Sequence, residues 1–203
     1  MVQIQKNNAI LKKCWEISQR RHLNWLGGTN SPSKMVLEKK EIMEIKLLSA
    51  KEAHRGILRQ LCEFYCYDFS EYTDADVDLA GHFHYRYLDH YWTEKGRYAF
   101  LILVDEHYAG FVMVNNVVHQ ITKDEGQALA EFFILRKYRR KGIGKQIAHQ
   151  VFDKYPGKWE VAQELKNTIS IAFWDQVIKD YLGPSTFPEV VVNEKNQKRI
   201  IIF

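Results

Sequence analysis

The sequence is short of cysteine and of long apolar runs, and its net charge is small; each shortage removes a class of protein. Three cysteines, Cys14, Cys62 and Cys66, are too few and odd in number for a disulfide framework, so a reduced, cytoplasmic setting is expected. No apolar run approaches the roughly 20 residues that a membrane-spanning helix needs. The first residues also lack the apolar core of a secretory signal, so no membrane is expected as a partner. A net charge of +4 over 203 residues does not by itself imply nucleic acid. No Cys/His set has the spacing of a zinc site, and Cys62 and Cys66, one helical turn apart, are expected to face a core. His82, His84 and His90 lie close together beside Asp89. Their segment, HFHYRYLDHYW, is mostly aromatic and reads as a helix with packing histidines, so no metal is expected.

Residues 1–42 read as a basic extension and linker, with a short helix over about 9–21 and a Gly/Ser-rich stretch around Gly27 to Ser33. Such an arm could bind RNA, or be an appendage with little role in the chemistry. The first strand-like alternation begins at Met43, and residues 43–203 read as one domain. Ser49 with Glu52 resembles a capping box, followed by the helical stripe Ile57, Leu58, Leu61, Phe64 and Tyr65. Next comes an acidic segment, 68–78, which is either a solvated loop or the wall of a site that attracts a cationic amine. Residues 97–104 and 108–115 form a hairpin pattern around Asp105-Glu106-His107.

The richest stretch is 130–155. The run Phe132-Phe133-Ile134-Leu135 is a buried-strand pattern, and a basic turn leads to Gly142-Ile143-Gly144. Helical spacing of Ile143, Ile147, Val151 and Phe152 follows, closed by Pro156-Gly157. Glycines let a ligand approach the backbone, and a helix N-terminus offers unpaired N–H groups and partial positive charge. With Arg139, Arg140, Lys141 and Lys145 around it, this unit predicts a pyrophosphate site. It is not a dinucleotide fingerprint, because Ile147 stands where the third glycine belongs. Nor is it a P-loop, because Arg139 and Gln146 replace the required glycine and Ser/Thr. Further on, Lys158–Ala162 reads as a strand, Asn167 opens a helix, and two strands end the chain.

Arg139 to Gly144 fit R-x-x-G-x-G, which resembles the acetyl-CoA loop of the GNAT superfamily of N-acetyltransferases. The element order β–α–α–β–β–β–α–β–α–β–β over 43–203, and Asn167 opening the later helix, resemble that family too. The resemblance implies an α/β (α+β) fold, with a mixed, mostly antiparallel sheet flanked by helices. It also implies that the strands 132–135 and 158–162 splay apart and admit the pantetheine arm, bonded to backbone around Phe133, Ile134 and Leu135. The phosphates would lie on Arg139, Arg140, Lys141, Gly142, Ile143, Gly144 and Lys145, with Asn167 near the cofactor. Trp174 stands on the cofactor side where many members place the tyrosine that protonates the leaving thiolate; an indole cannot serve as that acid. Either another group such as Tyr181, two turns later, is then the acid, or the thiolate leaves without enzymic protonation. Either Glu131 or Glu160 is the candidate base that deprotonates the amine.

The implied function is transfer of an acetyl group from acetyl-CoA to a primary amine, with a cationic acceptor mildly favoured by segment 68–78. The alternative is a catalytically silent acyl-CoA-binding sensor. Nucleic acid is not expected as a main partner. The apolar end Ile200-Ile201-Ile202-Phe203 could support a homodimer.

Overall fold

The computed structural model describes residues 43–122 and 126–203. The expected N-terminal arm and its helix lie outside the described residues. The elements run β1 (Ile45–Ser49), α1 (Arg55–Phe69), α2 (His90–Thr93), β2 (Arg97–Val104), β3 (His107–Asn115), β4 (Gly126–Ile134), α3 (Ile143–Lys154), β5 (Lys158–Glu164), α4 (Thr168–Leu182), β6 (Glu189–Asn193) and β7 (Lys198–Ile202). Short 3-10 turns, Glu52–His54 and Arg136–Tyr138, precede α1 and follow β4. All seven strands form one sheet in the order β1-β2-β3-β4-β5-β7-β6. Among the described residues only β4 and β5 pair in parallel; every other pair is antiparallel.

Both faces of the central strands are covered, which is why β2 and β3 read as nearly unbroken apolar runs. One face carries Phe100, Ile102, Val112 and Val114 against Ile147, Val151 and Phe152 of α3 and Trp174 and Ile178 of α4. The other carries Leu101, Phe111, Met113 and Phe133 against Leu58, Leu61 and Cys62 of α1. Burying one such side chain stabilises the fold by about 1.5–3 kcal/mol, so the two clusters fix the pose of the helices around β4.

The structure corrects several local expectations. Ser49 does not cap the first helix; it ends β1, and α1 starts at Arg55 with no side-chain cap. Phe64 is 47% exposed rather than part of the buried stripe. Of the segment 82–92 only His90 to Trp92 are helical, and His82 and His84 are exposed rather than packed. Residues 200–203 do not present an apolar edge: β7 is paired on both sides, and Ile200 and Ile201 are buried. The edges of the sheet are β1 and β6, so β7 is not an edge strand.

The feature that prepares the site is where β4 and β5 stop pairing. Their ladder covers only Gly126 to Leu129 on β4 and Lys158 to Val161 on β5. A bulge at Ala130 follows, where Met113 faces Glu131 and Val114 faces Leu129. Beyond it, Glu131 to Ile134 have a partner strand only on the β3 side. The expected splay between the two strands is present.

Candidate active site

Leu135 donates its backbone N–H to the Ala109 carbonyl of β3, 2.8 Å away. Strand alternation then turns the N–H groups of Phe132 and Ile134 to the opposite edge, the one β5 leaves open. This is the backbone edge on which a pantetheine arm can form a sheet-like ladder. Phe133 and Leu135 point to the α1 face of β4, where they line an open groove of about 340 Å³ with Phe64, Tyr67, Asp68 and Arg136.

Each glycine of the turn has its own reason. Gly142 caps α3 in the left-handed conformation, φ 80°, which a side chain disfavours. Nothing lies within 4 Å of where its Cβ would be. Gly144 has ordinary backbone geometry but sits against Phe173 of α4, 3.0 Å from a would-be Cβ. The first intrahelical bond runs from Gln146 N–H to the Gly142 carbonyl, 3.2 Å. The N–H groups of Ile143, Gly144 and Lys145 therefore lack helical partners, and the capping residue has no side chain to fill them. An uncapped helix end with open space before it fits a pyrophosphate.

The cations divide into two kinds. Arg139 donates through Nε to the Ile134 carbonyl, 2.6 Å, pairs with Asp68, and lies 5.5 Å over the Phe133 ring. Lys145 pairs with Asp180 at 2.6 Å. Lys141 lies over the Tyr138 ring at 5.8 Å, and Arg140, exposed with φ 60°, has no side-chain partner among the described residues. Of these four, Arg140 and Lys141 have no carboxylate partner among the described residues. Asn167 caps α4: its Oδ1 accepts the Ser170 N–H at 2.9 Å, which leaves the side-chain NH₂ for another partner.

The two candidate carboxylates differ. Glu160 is buried, and its oxygens accept the N–H groups of His119, Gln120 and Ile121, the last at 2.8 Å. It fastens the loop after β3 to β5. Glu131, on the α1 face of β4, instead meets two hydroxyls. Tyr85 donates to Oε1 at 2.7 Å and Tyr65 donates to Oε2. Burial raises the proton affinity of Glu131, and the two tyrosine hydrogen bonds only partly counter it. Burial, then the Glu131 charge, also pushes both tyrosines well above their ordinary value. Cys66 is pushed up to about 11, by burial first and then Glu131, so it is a thiol at neutral pH rather than a nucleophile.

Tyr181 is not with these groups. Its hydroxyl donates to Asp153 at 3.0 Å, near the C-terminal end of α3, two turns beyond the Phe173 that touches Gly144. Trp174 is buried between Phe132, Phe152 and Phe173, at ring distances of 5.2, 6.5 and 4.9 Å, and serves the core. The acidic segment is partly structural: Asp68 pairs with Arg136 and Arg139, and Asp78 with His84 and its own loop. Among the described residues no cluster of metal-ligating side chains occurs, and no helix is long and apolar enough to cross a membrane. Tyr65 and Tyr85 are not legible as site residues in the sequence, because they reach Glu131 from 66 and 46 residues away.

Known proteins share this fold. The architecture is similar to an acetyltransferase from Thermus thermophilus, with TM-score 0.60, 14% identity, and 78% of this chain and 96% of that one covered. It is also similar to an aminoglycoside acetyltransferase in complex with coenzyme A, with TM-score 0.57, 11% identity, and coverage of 79% and 94%. A third is a spermidine N-acetyltransferase from Vibrio cholerae in complex with CoA and spermine, with TM-score 0.52, 10% identity, and coverage of 78% and 94%. Among curated proteins none matches. The Acetyltransferase (GNAT) family model matches residues 58–177, more than half of the sequence and the whole of the turn and both carboxylates, and the chain belongs to that family.

Proposed function

We propose that this protein transfers the acetyl group of acetyl-CoA to a primary amine by direct attack on the thioester. The observation that carries the reading is Glu131: a half-buried carboxylate of raised proton affinity, held by two tyrosines, beside the bulge where β4 parts from β5. A protonated amine must lose a proton before it can attack, and a carboxylate shifted toward neutrality is suited to take it. The nitrogen then bonds to the thioester carbon. The carbonyl oxygen becomes an oxyanion, which the Ile134 N–H on the open edge is placed to receive. The oxyanion collapses to re-form the carbonyl as the C–S bond breaks, and the nitrogen gives its second proton to solvent. CoA leaves as a thiolate that solvent protonates, since Trp174 is a core residue and Tyr181 is bonded to Asp153.

In this reading Arg140, Lys141 and the N–H groups of Ile143 to Lys145 hold the pyrophosphate. The Phe132 and Ile134 edge takes the pantetheine arm, and the Asn167 amide faces it. Glu160 keeps a loop in place and is not the base. A cationic acceptor rests on the remaining acids of the segment, Glu71, Asp74 and Asp76, which are exposed.

Calorimetric titration with acetyl-CoA tests the cofactor assignment. Micromolar binding by the parent is expected, weakened about tenfold or more by the double charge reversal Arg140→Glu/Lys141→Glu. No binding by the parent would remove the acetyl-transfer reading.

A further inference from the structure

Asp68 ends α1 facing the phosphate turn, and its side chain is only 18% exposed. Its two oxygens take two arginines: Arg136 donates to Oδ1 at 2.7 Å and Arg139 donates to Oδ2. Burial works to raise this carboxyl, yet the Arg139 and Arg136 guanidiniums outweigh it and hold Asp68 below the usual carboxylate value. The Arg139 guanidinium is thereby fixed at three points: Asp68 on α1, the Ile134 carbonyl, and the Phe133 ring. The next residue, Arg140, is held in left-handed backbone at φ 60°, a conformation that persists only where its surroundings impose it. Two residues later Gly142 is left-handed as well.

We propose that Asp68 is a positioning residue for the cofactor. By locking the Arg139 side chain onto the end of β4, it holds the 135–142 turn in the shape that offers its amides to a pyrophosphate. Arg139 is then a brace, and the phosphate-facing cations are Arg140 and Lys141. This rests on the acetyl-CoA reading above and adds to it a carboxylate, on a different element, that helps to bind an anion.

The sign makes the inference testable. Plain electrostatics says that removing a carboxylate beside an anion site tightens anion binding. A brace says the opposite, because a turn that must be ordered on binding weakens it. Acetyl-CoA titrations of the parent, Asp68→Asn, Arg139→Gln and the double variant form a cycle. Circular dichroism at the titration temperature establishes that each is folded. Asp68→Asn is expected to bind about 5–10-fold more weakly, and the double variant no more weakly than Arg139→Gln alone. Equal or tighter binding by Asp68→Asn overturns the inference, and so do effects that multiply in the double variant. Arg139→Lys is a second variant, which keeps the cation but loses the fork; it should bind as weakly as Arg139→Gln. Parent-like binding by Arg139→Lys would mean that the cation itself holds phosphate, and the brace falls. A parent that does not bind acetyl-CoA removes the cofactor reading and this inference with it, an outcome distinct from all the others.

Discussion

The Tyr85 hydroxyl donates to the Glu131 carboxylate across 2.7 Å, and Tyr65 donates to its other oxygen. Two neutral donors hold the group in place without supplying a positive charge, so burial still raises its proton affinity. Glu160, on the neighbouring strand, is surrounded instead by backbone N–H groups. The two glutamates are indistinguishable as letters, and only their hydrogen-bond partners tell them apart.

Glu131→Gln should abolish most turnover and also stabilise the protein. Loss of a general base costs about 10²–10⁴-fold in rate. The raised affinity of Glu131 means that its favourable share of stability is present at acid pH, below the unfolded-state value. That share is lost as pH rises through the folded-state value. The glutamine variant has no such loss, so its Tm should exceed the parent's at neutral pH and approach it in acid. Thermal unfolding as a function of pH measures this.

Glu160→Gln should do the reverse. An amide NH₂ would face N–H donors, leaving buried groups unpaired at a cost of about 1–3 kcal/mol each. A lower Tm with acetyl-CoA affinity retained is expected from unfolding and calorimetry on the same sample.

The pH profile of kcat/KM carries a third prediction. Its acidic limb reports Glu131 and should lie above the ordinary carboxylate range. Both tyrosine hydrogen bonds lower the Glu131 value, so Tyr65→Phe and Tyr85→Phe should each move that limb to higher pH. A limb that stays in place in both variants would separate it from Glu131.

Gly142→Ala meets no atom within 4 Å, so its effect is one of backbone alone. A residue with a side chain at φ 80° costs about 1–2 kcal/mol, and the expected drop in denaturant-unfolding free energy is of that size.

Much of this fold is written locally. The switch of period from Phe132–Leu135 to Ile143–Phe152 locates β4 and α3, and the two glycines locate the turn. The continuous apolar runs of β2 and β3 announce strands covered on both faces. What is not legible depends on contacts between distant segments. Asp68 reaches Arg139 over 71 residues, and no spacing rule links them. The histidines of 82–84 read as helical packing, yet the chain there is held by Glu63, which accepts the N–H groups of Phe83 and His84. Trp174 stands out as a departure from a pattern, and its surroundings are those of an ordinary core aromatic.

The most direct test of acetyl transfer from Glu131 is release of free CoA thiol from acetyl-CoA, followed across a panel of primary amines for the parent and Glu131→Gln. The account predicts thiol release with at least one amine by the parent. It predicts a rate about 100-fold or more lower in the variant, with acetyl-CoA affinity unchanged. Equal rates in parent and variant, or a parent that binds acetyl-CoA and releases no thiol with any amine, would contradict it.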